Sequence, residues 1–314
     1  MKIKRWKTLM VAVKDFDRDA RALLRKAAAI AERFGAELIV LHVSASDDEA
    51  FTIPARFSTL GSADEIRRVQ QQRLEKMAKT VQASGRRITC LSVLDYPIVD
   101  GIVRQVIKHK PDLLMVQSPH HSRVARMFLT NTDWELIRHC PCPLWLAKST
   151  RLKPALSVLA SIDPFHSHAK PADLDKVILD AAGQVVGTGT GRLGITHVYT
   201  VPPKLFSAAG EIAVIPATPA QSRRYKAQAR SMIKRLGKPY AVSTRDQLPV
   251  EGDPAVRIPQ LAKSWKADVL VMGAVSRRAM KRLFIGHTAE RILDEVHCDV
   301  LVVKPASFKT QVRG

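Results

Sequence analysis

The chain repeats itself. Lys110-Pro-Asp-Leu-Leu-Met-Val116 aligns with Lys266-Ala-Asp-Val-Leu-Val-Met272, and the match runs without a gap to Leu144-Trp-Leu-Ala-Lys148 and Val300-Leu-Val-Val-Lys304. Along it Asp112, Leu114, Arg126, Phe128, Thr132, Cys142 and Lys148 face Asp268, Leu270, Arg282, Phe284, Thr288, Cys298 and Lys304. The opening segments correspond too: Leu9-Met-Val-Ala-Val-Lys-Asp15 parallels Val158-Leu-Ala-Ser-Ile-Asp163, each an apolar run that ends in aspartate and precedes a helical stretch. A unit that recurs in this way folds as a unit. The expected domains are 5–149 and 153–308, joined near Thr150-Arg-Leu-Lys-Pro154, and 314 residues suit two ordinary domains.

Each copy alternates strands with helices. In the first, Leu9 to Val13 is a short continuous apolar run, as in a strand buried on both faces. Arg18 to Phe34 places Ala22, Leu23, Ala27, Ile30 and Ala31 at helical spacing, and Gly35 stops the helix. Strands are predicted at Leu38 to Val43, Ile88 to Val93, Leu113 to Val116 and Leu144 to Ala147. The helices between them span about Ala63 to Ser84, Val99 to Lys108 and Asp133 to Arg138. Such alternation gives right-handed βαβ crossovers and a mainly parallel sheet with helices on both faces. Ligands of these α/β folds sit beyond the carboxyl ends of the strands, where the strand order reverses. That directs attention to Asp15, Asp163 and the segments after Val116 and Met272.

The segment after Met272 carries a motif. Gly273-Ala-Val-Ser276 and Phe284-Ile-Gly286-His287-Thr288-Ala-Glu290 follow a strand and lead into a helix. Glycines there let backbone N–H groups approach phosphate oxygens, and a helix N-terminus completes an anion cradle. The pattern resembles the phosphate loop of universal stress proteins: Gly, two residues, Gly, nine residues, Gly, then Ser or Thr. Gly273 and Gly286 match the first and third glycines. Ser276 replaces the second, His287 stands at the hydroxyl position, and Thr288 follows one place on. Asp163 matches the aspartate that meets adenine in ATP-binding members. In the first copy Gln117, His120 and Thr130 hold the glycine positions and Asn131 the hydroxyl position, so ATP binding in the family manner is not expected there.

The resemblance covers nearly the whole chain and includes Thr132-Asp-Trp134 and Asp163-Pro-Phe-His166. It implies two tandem universal-stress domains, each with a five-stranded, mainly parallel sheet of the adenine-nucleotide α-hydrolase-like kind. Family members pair through their last strands, which implies an internal pseudo-dimer joining Leu144–Ala147 to Val300–Val303, with a further homodimer open. It also implies a cofactor site at Asp163, Gly273, Ser276, Gly286, His287 and Thr288 for ATP, another adenine nucleotide or another small anion.

Other residues carry competing readings. His166, His168 and His287 could ligate a divalent metal or meet phosphate, although polar loop residues are the plainer reading. His120-His121 and His139-Cys-Pro-Cys142 lack the second cysteine pair of a structural zinc site, and Cys142 and Cys298 read as packing residues. Arg277-Arg-Ala-Met-Lys-Arg282 is either a solvated face or a phosphate-neutralising cluster. Asp15 reads as a helix cap, and Asp163 as either a ligand or a structural residue. Trp6, Trp134, Trp145 and Trp265 read as packing residues.

The formal charge of +21 attracts anions of every size, so nucleic acid remains a third possible partner; aromatic content of 5% shows no interleaved base-stacking platform. No apolar run approaches the ~20 residues of a membrane span. Four cysteines are too few for a disulfide framework, and the basic N-terminus leads into a strand rather than a signal sequence; both suggest the cytoplasm. No nucleophile elbow, intact Walker loop or paired-carboxylate arrangement is legible. The expectation is a non-enzymatic stress-response protein with a modified anion site in its second domain. The alternatives are an ATP switch, with or without slow hydrolysis, and a nucleic-acid-associated protein.

Overall fold

A computed structural model describes residues 5–45, 63–81, 87–118, 131–165, 173–187, 190–201, 204–208, 211–274 and 287–313. In the first half β1 (Thr8–Ala12), β2 (Glu37–Ser44), β3 (Ile88–Leu94), β4 (Leu113–Gln117) and β5 (Leu144–Ala147) alternate with α1 (Arg18–Phe34), α2 (Ala63–Lys79), α3 (Ile98–His109) and α4 (Asn131–His139). Helix α2 ends before the Ser84 expected from the sequence.

The second half contains β6 (Ser157–Ser161), α5 (Leu174–Val186), β7 (Arg192–Tyr199) and α6 (Pro219–Gly237). Then come β10 (Gln247–Glu251), α7 (Pro254–Ser264), β11 (Val269–Gly273), α8 (His287–Glu295) and β12 (Asp299–Val303). Between β7 and α6 it adds an antiparallel ribbon, β8 (Lys204–Ala208) and β9 (Glu211–Ile215), which the repeat gave no reason to expect.

All the strands but this ribbon form one ten-stranded sheet, ordered β10-β7-β6-β11-β12-β5-β4-β1-β2-β3. Every pairing in it is parallel except the central one, where β12 runs antiparallel to β5 with Leu301 opposite Trp145. The seam therefore joins the last strand of each half and leaves neither as an open edge. Alternate residues of each strand feed two cores that run through both halves. Leu9, Val11, Val158 and Ala160 pack beneath α1, α2, α5 and α6. Met10, Leu41, Leu159 and Leu270 pack beneath α3, α4, α7 and α8. Continuous burial of a strand on both faces explains why the runs are apolar at every position rather than alternating.

Local chemistry sets the helix limits. Asp17 caps α1 by accepting from the Ala20 amide at 2.7 Å, and Gly35 closes it at φ +66°. This corrects the reading of Asp15 as the cap: Asp15 is exposed and stands two residues too early. The strand register corrects its partner as well. Leu9 lies beside Leu113 as Val158 lies beside Val269, so Lys14, not Asp15, is the counterpart of Asp163.

The repeated polar pairs mark joints. Asp112 Oδ2 accepts from the amides of Lys7 (2.8 Å) and Thr8 (3.1 Å), and Asp268 Oδ2 from that of Ser157 (2.9 Å), fastening the start of each first strand. Lys148 Nζ donates to the carbonyls of Leu293 (2.6 Å) and Val296 (2.7 Å) at the end of α8. Lys304 Nζ donates to those of Arg138 (3.1 Å) and Cys140 (2.6 Å) at the end of α4. Each half thus places a cation on the negative C-terminal end of the other half's last helix.

Candidate nucleotide or anion site

In the second half the strand order reverses between β6 and β11, since the chain continues from β6 outward to β7 and later returns to β11 on the other side. Two sequence-derived residues meet there: Asp163, just after β6, and Gly273, the last residue of β11. The Asp163 amide donates to Asp175 Oδ1 at 3.0 Å, so a buried carboxylate in the first turn of α5 holds the chain as it leaves β6. The Asp163 side chain keeps 22% of its exposure, and its Oδ1 lies 3.9 Å from His197 Nδ1.

At Gly273 the structure supplies a packing reason for glycine. A Cβ there would sit 2.7 Å from Leu174 Cδ2 and 3.3 Å from Ile178 Cδ1, so α5 already occupies the space beside it. The next amide, Ala274 N, donates to the Val303 carbonyl at 2.9 Å and keeps the exit of β11 aligned with β12. Helix α8 begins at His287, with Thr288 exposed in its first turn. The sheet and α8 therefore bring Asp163, Gly273 and the His287-Thr288 end of the helix to one edge. Ser276, Gly286, His166 and His168 lie outside the described residues, as do Arg277–Arg282 and His120-His121.

Sequence reasoning missed what lines the β7 side. Phe165, His197, Tyr199 and Tyr225 form a continuous aromatic group, with ring centroids 4.7–5.5 Å apart. His197 Nδ1 lies 3.2 Å from the Ile162 carbonyl. His42 Nδ1 makes the matching approach, 3.1 Å, to the Val13 carbonyl, with Phe16 against its ring. Burial holds His42 below the ordinary histidine value, against the opposing pull of the Val13 carbonyl and Asp15. Burial raises the Tyr199 phenol, and Glu251 and Tyr225 add to the rise. The signal was present: His42-Val43 and His197-Val198 recur at the end of the second strand in each copy.

Cys142 and Cys298 pack partly buried against the apolar core, with the Lys304 and Lys148 ammonium groups near them. Burial pushes the Cys298 thiol up to about 12, and Cys140 and Cys142 lie with sulfurs 3.6 Å apart. Trp145 is fully buried, while Trp265 carries Arg192 3.9 Å over its ring and donates to Asp246 Oδ1 at 3.1 Å. Among the described residues no group of three or more His, Cys, Asp and Glu is placed to hold a metal, and no helix is long and apolar enough to cross a membrane.

The model of the universal stress protein family matches residues 5–148 and 173–304. The chain belongs to the universal stress protein family. Both halves carry the family fold, in tandem. Over 315 aligned residues the chain is 28% identical to universal stress protein E of Escherichia coli (strain K12), with 96% of each chain covered. The same protein of Salmonella typhi matches equally, at 28% over 96% of each. Among solved structures, a universal stress protein from Archaeoglobus fulgidus superposes with a TM-score of 0.67 at 16% identity, covering 95% of this chain and 98% of that one. A protein of unknown function from Pseudomonas aeruginosa superposes at 0.71 with 21% identity, covering 96% and 94%. Likeness at these identities bears on fold alone.

Proposed function

We propose that the second half binds an adenine nucleotide, or a small anion of similar shape, and that the protein acts through occupancy of this site rather than by turnover. What supports the reading is that Asp163 and Gly273 follow or end neighbouring strands at the reversal of strand order, on the sheet edge from which α8 sets out. Asp163 is a partly exposed acceptor suited to the exocyclic amine of adenine. The amide-rich start of α8 suits phosphate oxygens. Ser276 and Gly286 would complete the loop, with His287 and Thr288 at its helical end. The packing at Gly273 limits the fit, because Leu174 fills the space where a ligand could press against that glycine. The ligand would therefore rest on the loop beyond Ala274.

The test is calorimetric titration of the full chain with ATP, preceded by native mass spectrometry of freshly purified protein. A co-purified adenine nucleotide, or saturable ATP binding lost in Gly286→Val and weakened in Asp163→Ala, supports the reading. Chains that ignore ATP and carry no small anion overturn it. Steady release of phosphate from ATP, abolished by the same substitutions, would make the protein a hydrolysing switch and overturn the occupancy reading.

A further inference from the structure

A second recess lies at the seam, where β11 and β12 begin rather than where they end. Its volume is about 280 Å³, near the lower limit of small-molecule pockets, roughly 300–1,000 Å³. Three parts of the chain enclose it. The first half contributes Lys26 and Trp145, the connection between halves contributes Arg151 and Leu152, and the second half contributes Leu156, Lys263 in the last turn of α7 and Lys266 just beyond it. The recess depends on the two copies being joined, because the connection forms one wall.

Its charges do not cancel. Both carboxylates on its lining are already committed. Asp299 accepts from Trp145 Nε1 (2.7 Å), from the amides of Lys148 and Ser149 (3.0 Å each) and from Lys26 Nζ. Asp268 accepts from the Ser157 amide (2.9 Å) and pairs with Lys153 (2.7 Å). Arg151, Lys263 and Lys266 are exposed at the rim and form no ion pair with a described residue. Beneath them the accessible apolar surface is that of Leu152, Pro259 and Ala267, half-buried over Leu156 and Ala262, with the buried Lys26–Asp299 pair deeper in the same wall. Three uncommitted cations above an apolar floor suit a molecule with an anionic head and an apolar body. A bare inorganic anion would leave the floor unused.

We infer that this seam recess binds a small organic anion, a phosphate or carboxylate head on an apolar body, and that its occupancy fastens the two halves together. The head lies among Arg151, Lys263 and Lys266, and the body lies over Leu152 and Pro259. A ligand that contacts both halves and the connection binds only the joined, folded chain, so it raises stability by mass action. The site is separate from the nucleotide site and does not depend on it.

The experiment uses phenyl phosphate as probe, with calorimetry and thermal unfolding of the full chain. One molecule per chain is expected to bind and raise the melting temperature. Affinity should fall by about tenfold or more in the double variant Arg151→Glu/Lys263→Glu, which reverses two exposed charges at the rim. The same reversal at Lys309, exposed and outside the recess, should change it less than about twofold. Gly286→Val should leave it unchanged, which separates this site from the nucleotide site. Absence of saturable binding at millimolar phenyl phosphate overturns the inference. So does equal sensitivity to Lys309→Glu, or loss in Gly286→Val without loss in the double variant. Inorganic phosphate binding as tightly as phenyl phosphate would remove the apolar body from the ligand and overturn the assignment of the floor.

Discussion

At the exit of β4 in the first half, Ser118 donates to Asp133 Oδ2 at 3.2 Å, and both residues are buried. Asp133 lies in the first turn of α4, so that helix carries its own carboxylate at its positive end. In the second half the repeat places Ala274 and Ala289 at these two positions. The first turn of α8 has only Glu290, which is not buried. The strand end differs in the same sense: Lys14 and Gln117 in the first half face Asp163 and Gly273 in the second. The frame is duplicated, but one copy fills with its own polar side chains a place that in the other holds only Ala274 and Ala289, where the proposed anion would come. Two copies of one fold need not present the same site.

The largest effect is expected where the halves meet, because the seam is not symmetric. Asp299 gathers four donors from the first half, and its repeat counterpart is Pro143. Asp299→Asn strands the buried Lys26 ammonium and should cost about 3–5 kcal/mol, read as a lowered urea midpoint. Pro143→Ala should cost less than about 1 kcal/mol. Similar losses from the two would show that the seam is held by strand pairing and apolar burial rather than by this carboxylate.

Next is Gly273→Val, which drives a branched side chain into Leu174 and Ile178 and should cost about 1–3 kcal/mol. Gln117→Val at the matching, partly exposed position should be nearly silent. If Gly273→Val instead leaves stability intact while abolishing ATP binding, this glycine serves the ligand and not α5.

The helix starts provide a sharper swap. Asp133→Ala leaves the Ser118 hydroxyl buried without this acceptor and should cost about 1–3 kcal/mol without creating a nucleotide site. Ala289→Asp should remove ATP binding by placing a carboxylate where phosphate would come, while stability holds or rises by about 0.3–1 kcal/mol through the helix dipole. ATP binding that survives Ala289→Asp would move the ligand away from α8.

How much of this was readable follows from the kind of signal involved. Strand positions were legible because burial on both faces makes whole runs apolar, and because duplication supplies a second reading of the repeated runs; the β5–β12 pairing was legible only through the family resemblance. The Asp15 assignment failed because an aspartate two residues away, Asp17, has the right spacing to Ala20, and proximity to a strand end does not discriminate between them. The pairing of Asp15 with Asp163 failed because one residue of offset is invisible until a neighbouring strand fixes the register. The repeated lysines were visible as a pair, but their targets lie on the opposite half. No local pattern in the sequence encodes a bond from Lys148 to Leu293. The aromatic group was missed for a similar reason, since Tyr225 reaches Tyr199 from another element.

Those two lysines give the smallest test of the comparison. Burial lowers both, Lys304 to about 8 from an ordinary value of 10.5. Between about pH 8 and 10.5 the unfolded chain keeps the Lys304 proton and the folded chain releases it. Stability from this group therefore rises with pH across that window, with a limit of about 1.4 kcal/mol per pH unit for one proton. Below about pH 8 both states are protonated and the slope vanishes, with the full cost of burying the ammonium retained. Cys140 and Cys142 face the same ammonium, so the comparison belongs in a Cys140→Ser/Cys142→Ser background. There Lys304→Met should flatten the rise, and Lys148→Met should do the same for the part due to Lys148. If only one substitution changes the slope, the two crossed caps are electrostatically unequal despite their matching geometry. The half that owns the silent lysine would then be the one whose seam environment stays hydrated.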